Sequence, residues 1–299
     1  MTTEPAQATP TETPAGLGVL KGALALLPPV TLLTALLFYF GWARTYAEAR
    51  ALHADASLFG YSTQDYLLRS VDSLYFPLIV LTGLALACLL AHQRLGRRLG
   101  RSTPDPALAA AGRWLVVAGL LLLAYGIAYS LWLFRVRNRV LDLTGPLALG
   151  AGVLVAAYGG WLHGRASGAT VDRPPSWERA VGAGLLLAIA ALSLFWAVGN
   201  FASWRGLDLA QAISDGYRGR PSVEVFAKQR LAIDAPGVRE TAIPGANEMY
   251  AYRYSGLYLL DHSGGTYFLI PDGWDEPGGQ TLVLLRDDGS LRVQLGAGQ

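Results

Sequence analysis

Over its first two thirds the chain alternates long apolar stretches with short polar ones, and then it changes to brief alternating segments. Windows of about 20 apolar residues, enough for a helix to cross roughly 30 Å of hydrocarbon, recur at about Ala23–Ala43, Leu74–Ala91, Trp114–Phe134, Pro146–Leu162 and Val181–Val198. The fourth is short, at the lower end of the spanning range. After the fifth, "FASWRGLDLAQAISDGYRG" has apolar residues at helical spacing and ends at glycine, which predicts a juxtamembrane helix of about three turns. Then "SVEVFA", "AYRYSGLYLLD", "GTYFLIP", "TLVLL" and "SLRVQL" follow, rich in β-branched and aromatic residues and separated by Gly, Asp and Pro, as strands are. Ser263, Gly264 and Gly265 should turn one hairpin, and Asp287, Asp288 and Gly289 another. The predicted fold is an α-helical transmembrane bundle of five spans with a small C-terminal α+β domain. The expected division is a disordered tail over 1–16, the transmembrane region over 17–200 and the C-terminal domain over 201–299.

One polar stretch is more organised than a connection needs. In "FGYSTQDYLLRSVDSLYFP", Ser62 followed three residues later by Asp65 matches a short-armed capping box. Beyond it Asp65, Arg69 and Asp72 take one helical face, while Leu67, Leu68, Val71, Leu74 and Tyr75 take the other. This predicts an amphipathic helix near 62–73. It either lies in the membrane interface before the chain turns in at Pro77 or forms the solvated first turns of a long second helix. Asp105 before Pro106, and Ser176, read as N-caps of later helices.

Composition agrees with membrane residence. The chain is 52% hydrophobic and 15% charged, with a mean hydropathy of +0.32, where soluble domains carry roughly a quarter charged residues. The net charge is +2 and the basic residues are nearly all Arg, the lysines being Lys21 and Lys228. No single-sign patch forms, so nucleic acid is not an expected partner and the lipid bilayer is. Cys88 is the sole cysteine and excludes an intrachain disulfide. The N-terminal "MTTEPAQATPTETPAG" lacks the basic region of a secretory signal and reads as a disordered tail before a retained first span.

Arg94, Arg97, Arg98, Arg101, Arg113, Arg165, Arg173 and Arg179 fall on one side of the expected spans, against Arg44, Arg50, Arg69, Arg135, Arg137 and Arg139 on the other. The positive-inside rule then places the N-terminus in the cytoplasm and the C-terminal domain outside.

The spans offer little chemistry. No ionisable residue falls mid-span, which argues against a proton or ion relay. Tyr125, Tyr129, Ser130, Thr31, Thr34 and Ser193 either bond between helices or line a polar path. Gly150, Gly152, Gly159, Gly160, Gly182 and Gly184 permit close helix contact. There is no H-E-x-x-H and no G-x-S-x-G elbow, and His92 and His163 read as interfacial residues rather than metal ligands. The pairs His53 with Asp55 and Asp261 with His262 bring neither a nucleophile nor a third orienting group. Tyr252, Tyr254, Tyr258 and Tyr267 read as sheet packing. No catalytic residue, metal site or cofactor is expected.

What stands out is a polar cluster on the outer face: Glu48, Asp65, Arg69, Asp72, Arg135, Arg137 and Arg139, with Asp55 beside it. Acids of the first outer loop would pair with arginines of the second and hold the loops together. Alternatively those arginines meet lipid headgroups, or the topology is inverted and they are cytoplasmic anchors.

The stretches "FGWARTYA", "GYSTQDYLLRS", "RPSVEVFAKQRLAI" with "PGV", "YRYSGLYLL" and "YFLIPDGW" give the chain a likeness over nearly its whole length. It resembles a group of uncharacterised multi-pass membrane proteins of actinobacteria, a family of unknown function. The resemblance implies a high-GC Gram-positive plasma membrane and brings no activity and no functional residues. The expected function is that of a non-enzymatic sensing, binding or accessory protein with an extracytoplasmic domain, working beside a membrane-protein partner. A small-solute channel or transporter is the alternative. A membrane-bound enzyme with an outer cleft around Glu48, Asp65 and His53 comes third.

Overall fold

The structure, a computed structural model, describes residues 15–99, 105–132, 138–168, 175–245, 249–275 and 280–297, with side chains from residue 30 onward except at 98, 99 and 132. Five long helices come first: α1 (Ala15–Ala51), α2 (Thr63–Leu99), α3 (Pro106–Trp132), α4 (Arg139–Ala166) and α5 (Ser176–Gly216). Among the described residues four stretches are long and apolar enough to cross a membrane, namely Thr63–Arg97, Pro106–Leu131, Arg139–Ala166 and Ser176–Gly219. The expected first span lies in α1, where side chains before residue 30 fall outside the described part.

Local chemistry sets most helix starts. The Asp65 carboxylate accepts from the Ser62 N–H at 2.8 Å, and Ser62 Oγ accepts from the Asp65 N–H at 3.3 Å, which is the expected capping box. Asp105 Oδ1 accepts from the N–H groups of Ala107 and Leu108 at 3.0 and 3.2 Å. Asn138 does the same for Val140 and Leu141 at the start of α4. Ser176 does not cap α5: Pro175 occupies the cap position, and no side chain bonds the helix start.

Two expected boundaries dissolve into single helices. The helix predicted near 62–73 continues through Pro77 as α2, so the solvated-first-turns reading is the one observed. A proline inside a helix costs about 3 kcal/mol. Breaking the helix in lipid would strand several backbone groups at several kcal/mol each, so continuing is the cheaper course. Likewise the helix expected after residue 200 is the last part of α5, and the division at 200/201 falls inside it.

Helix α5 is central, with α1 on one side and α4 on the other; α3 packs on α4, and α2 on α1. The α3–α4 seam runs on glycines seven residues apart in both helices. A Cβ on Gly112 would lie 2.6 Å from the His163 nitrogen, one on Gly159 2.7 Å from that of Val116, and one on Gly152 2.7 Å from that of Leu123. Only glycine allows such backbones to meet. Gly150 packs on Ser193 of α5, whereas Gly160, Gly182 and Gly184, also expected to pack, face nothing within 4 Å.

Six antiparallel strands follow: β1 (Ser222–Ala227), β2 (Arg239–Ala242), β3 (Tyr252–Ser263), β4 (Thr266–Pro271), β5 (Val283–Arg286) and β6 (Leu291–Gly296). Their order is β5-β4-β3-β1-β6, with β2 beside the first half of β3. The β3–β4 hairpin turns at Gly264 and Gly265, both at positive φ, as expected. The second expected hairpin is not formed, because β5 and β6 occupy opposite edges and residues 287–290 join them. Edges of a flat five-strand path stand about 19 Å apart. A turning connection of this length cannot reach that far, so the sheet curls back on itself.

The burial pattern of β1, with Val223, Val225 and Ala227 inward, is the alternation read from the sequence. Those residues form the sheet's own core with Tyr254, Leu257, Leu269 and Leu285. A second core of Leu52, Ala210, Ile213, Tyr217, Tyr258, Ile270 and Trp274 joins the sheet to the ends of α1 and α5. Tyr254 and Tyr258 are therefore packing residues, as expected.

Candidate functional site

The sheet domain sits on the end of the bundle formed by the C-terminal turns of α1, the first turns of α2 and the last turns of α5. At the end of α1, Thr45, Glu48 and Ala49, with Leu52 just past the helix, repeat at helical spacing and line a cavity of about 200 Å³. Arg69 of α2, Tyr61 just before it, Phe59 of the short turn Ala56–Phe59, Ile213 of α5, and Arg220, Leu260 and Asp261 complete the wall. Bundle and sheet domain thus both contribute.

A β-bulge supplies the sheet's share. Leu259 pairs with Leu269 and Asp261 with Phe268, so Leu260 is an extra residue on β3. In a regular strand neighbours face opposite sides, but the bulge turns Leu260 and Asp261 together into the cavity. Phe59 stacks on Phe268 with ring centroids 4.4 Å apart, seating the α1–α2 connection on the sheet.

Arg69 is the hub. Its Nη2 donates to Tyr61 Oη at 2.7 Å and to Asp261 Oδ2 at 3.1 Å, its guanidinium lies 4.0 Å from the Tyr61 ring centroid, and its Nη1 is 3.7 Å from Glu48 Oε2. Its carbonyl accepts from Arg44 Nη1 at 2.9 Å. The Tyr61 hydroxyl donates to Asp261, and burial foremost, with that bond second, holds its pKa far above the ordinary phenol value. Asp72 is paired with Arg205 at 3.2 Å and lies 3.9 Å from Arg44. Arg220 Nη1 donates to the carbonyl of Leu260 at 2.8 Å.

Glu48 is the misfit. Its Oε2 and the Thr45 hydroxyl are buried and have no hydrogen-bond partner among the described residues. Burial raises the Glu48 pKa above the ordinary glutamate value, although Arg44 and Arg69 pull the other way. Arg69 at 3.7 Å is too far to hydrogen-bond, so its attraction does not offset the lost water.

Of the expected outer-face cluster, Glu48, Arg69 and Asp72 come together. Asp65 does not join them, since its carboxylate is taken by the Ser62 cap, and Asp55 caps the short turn through Ser57. Arg139 is not in the cluster either: it makes a two-pronged pair with Asp208 of α5 at 3.0 and 2.6 Å. Arg135 and Arg137 lie outside the described residues. Glu48 and Asp72 are thus met by Arg69 and by Arg44 and Arg205, all on the helices α1, α2 and α5, which a loop-to-loop expectation did not include. Thr45, Tyr61, Arg220 and Asp261 were also missed. The spacing of Thr45, Glu48, Ala49 and Leu52 was a readable signal, whereas the convergence of Asp261 on Tyr61 was not.

Elsewhere in the bundle, polar side chains tie helices together. Tyr125 bonds Thr144 at 2.8 Å, and Tyr129 donates to Asp142 at 2.7 Å. Trp204 Nε1 donates to the other oxygen of Asp142, and Asn200 to its carbonyl. His92 meets the Tyr158 hydroxyl and His163 the Ala109 carbonyl, two separate partners at the far end of the bundle.

Comparison with protein-family models, curated proteins and solved structures finds no match to this chain. The features that bear on function are four helices with the length and apolarity to cross a membrane and the geometry of this cavity.

Proposed function

We propose that this is a five-span plasma-membrane protein, N-terminus in the cytoplasm and sheet domain outside, that binds a small molecule in the cavity between bundle and domain and passes the bound state to a membrane-protein partner. The observation that carries the reading is that one half-buried polar cavity draws its wall from α1, α2, α5 and the sheet domain together. A ligand there alters the seating of the domain on the helices. The glycine-packed α3–α4 seam leaves no room for a solute path between those two helices, which favours binding over transport.

The test is a thermal-shift screen of the full chain in lipid nanodiscs against a broad metabolite library, beside a cavity-filling variant, Ala49→Leu, and a milder one, Leu260→Met. Ligands that stabilise the wild type and lose their effect in either folded variant support the reading. Ligands that act equally on all three proteins, or a library without effect, overturn it. Orientation is tested with Cys88→Ala carrying Asp288→Cys on the exposed β5–β6 connection. Labelling of intact cells by an impermeant maleimide supports an outer domain, and labelling only after permeabilisation reverses it.

A further inference from the structure

The unsatisfied groups of the cavity specify what it takes. Thr45 is 2% exposed, lines the cavity, and its hydroxyl has no hydrogen-bond partner among the described residues. Glu48 Oε2, one turn on, has the Arg69 guanidinium at 3.7 Å but likewise no hydrogen bond among the described residues. A buried acceptor left without a donor is destabilising, and more so when charged, so the pair calls for a hydrogen-bond donor, best a cationic one. In the same lining, Arg220 uses only Nη1 for hydrogen bonds to described residues, and Arg69 Nη1, in an ion pair with Glu48 at 3.7 Å, makes no hydrogen bond among them. Guanidinium N–H groups without a hydrogen bond suit a carboxylate, which they can hold in two-pronged fashion.

Charge narrows the choice. The lining holds two acids, Glu48 and Asp261, and two guanidiniums, Arg69 and Arg220. Fully ionised, the set is neutral, and a ligand of net charge would leave one charge uncompensated in a half-buried site. A zwitterion meets both sets of open valences and keeps the balance. The remaining wall, Ala49, Leu52, Phe59, Ile213 and Leu260, is apolar and accepts a hydrocarbon side chain. The volume of about 200 Å³ compares with the roughly 150 Å³ that encloses the six carbons of a benzene molecule, which gives room for roughly eight non-hydrogen atoms.

We infer that the cavity binds an α-amino acid with a short aliphatic side chain, its ammonium on Glu48 and Thr45 and its carboxylate on Arg69 and Arg220. This rests on the reading of the cavity as a ligand site and names the ligand class.

The experiment is calorimetric titration of the full chain in nanodiscs with L-leucine, with isoamylamine, which keeps the amine alone, with 4-methylpentanoate, which keeps the acid alone, and with sorbitol. Leucine should bind, with each half-ligand at least tenfold weaker. Glu48→Gln should weaken leucine at least tenfold and leave 4-methylpentanoate unweakened, and Arg220→Gln should weaken leucine and 4-methylpentanoate but spare isoamylamine. A merely structural role for either residue would shift all probes alike. Isoamylamine, 4-methylpentanoate or sorbitol matching leucine overturns the ligand class while leaving the cavity as a binding site. Leucine failing to bind also overturns it, and the library screen then decides separately whether the cavity binds anything.

Discussion

Between α3 and α4, glycines at seven-residue intervals on both helices bring the backbones together, and the polar side chains at the seam's domain end have partners, as Tyr125 has Thr144 and Tyr129 has Asp142. Where α1, α2 and α5 meet the sheet domain, backbones also approach closely, at Gly41 against Tyr66 and Gly206 against Arg44. There, however, the side chains enclose a cavity and leave Glu48 and Thr45 without hydrogen-bond partners among the described residues. Both contacts use small residues to fix helix positions. Only the second spends that precision on holding polar groups apart instead of satisfying them, which is how a site differs from a joint.

The largest loss of stability should come from the seam. Gly152→Leu puts a side chain where a Cβ already lies 2.7 Å from the Leu123 nitrogen and 2.8 Å from the Gly119 carbonyl oxygen, while Gly160→Leu, two turns on in the same helix, meets nothing within 4 Å. The first should cost on the order of 1–3 kcal/mol or more by overpacking, and the second should stay within about 0.5 kcal/mol. Unfolding by denaturant in micelles measures both. Equal effects would mean that the seam is no tighter than the open helix surface at Gly160.

At the cavity, Arg69→Leu removes the shared partner of Asp261, Tyr61 and Glu48. Hydrogen bonds to charged groups contribute about 1.5–3 kcal/mol. With Arg69 and Asp261 side chains 25% and 28% exposed, the loss should fall in that range and below the cost of breaking a deeply buried pair. The same variant should speed proteolysis at the connection between α5 and β1, because Arg69 ties α2 to β3. Loss of stability without faster cleavage would show that the domain is held by its apolar contact with α1 and α5 alone.

How far the sequence reveals these two regions follows from the range of the interactions. The capping box at Ser62, the Asp105 cap, the amphipathic stripe of α2, and the alternation in β1 depend on neighbours within one or two turns, and all were legible. Strand β2, "RETA", was not, because all four residues are exposed and show no alternation. The Asp-Asp-Gly turn was recognised but its partners were not. Turn chemistry bends a chain without saying which strands pair, and β5 and β6 went to opposite edges. Asp261 reaches Tyr61 across 200 residues, and only after a bulge redirects it. Part of the seam was legible in Gly152 and Gly159, but Gly112, Gly119 and Gly126 on the facing helix were passed over although their spacing of seven is visible in the sequence.

The buried Glu48 carboxylate also makes stability depend on pH. Burial raises the Glu48 pKa in the folded chain above its ordinary value, so the folded state binds this proton more tightly than the unfolded state does. The protonated form therefore favours folding below the ordinary glutamate pKa, and that contribution is lost as the pH rises through the raised value. Glu48→Gln should flatten the fall in stability over this window and leave the ligand-free protein at neutral pH at least as stable as the wild type. A fall of unchanged steepness would assign the pH dependence to another group. The analogous change at the seam, Asp142→Asn, should instead destabilise, since both carboxylate oxygens there accept hydrogen bonds from Tyr129 and Trp204.

The smallest effect should come from the pair that lies between the two regions. Arg139 at the start of α4 and Asp208 in α5 are 51% and 35% exposed, and exposed ion pairs contribute about 0–1 kcal/mol. Reversing either charge alone should cost no more than about 1 kcal/mol, and exchanging both, Arg139→Asp with Asp208→Arg, should restore the wild-type value in a double-mutant cycle. Exchange of Asp65 with Arg137 should give no rescue, because Asp65 is committed to the Ser62 cap and its loss acts on the start of α2 alone. An Arg139 reversal costing several kcal/mol, or one rescued from Asp72 or Glu48 instead of Asp208, would join α4 to the cavity cluster. Joint and site would then be one network, with the hub at Arg69 extending across the bundle to the glycine-packed pair.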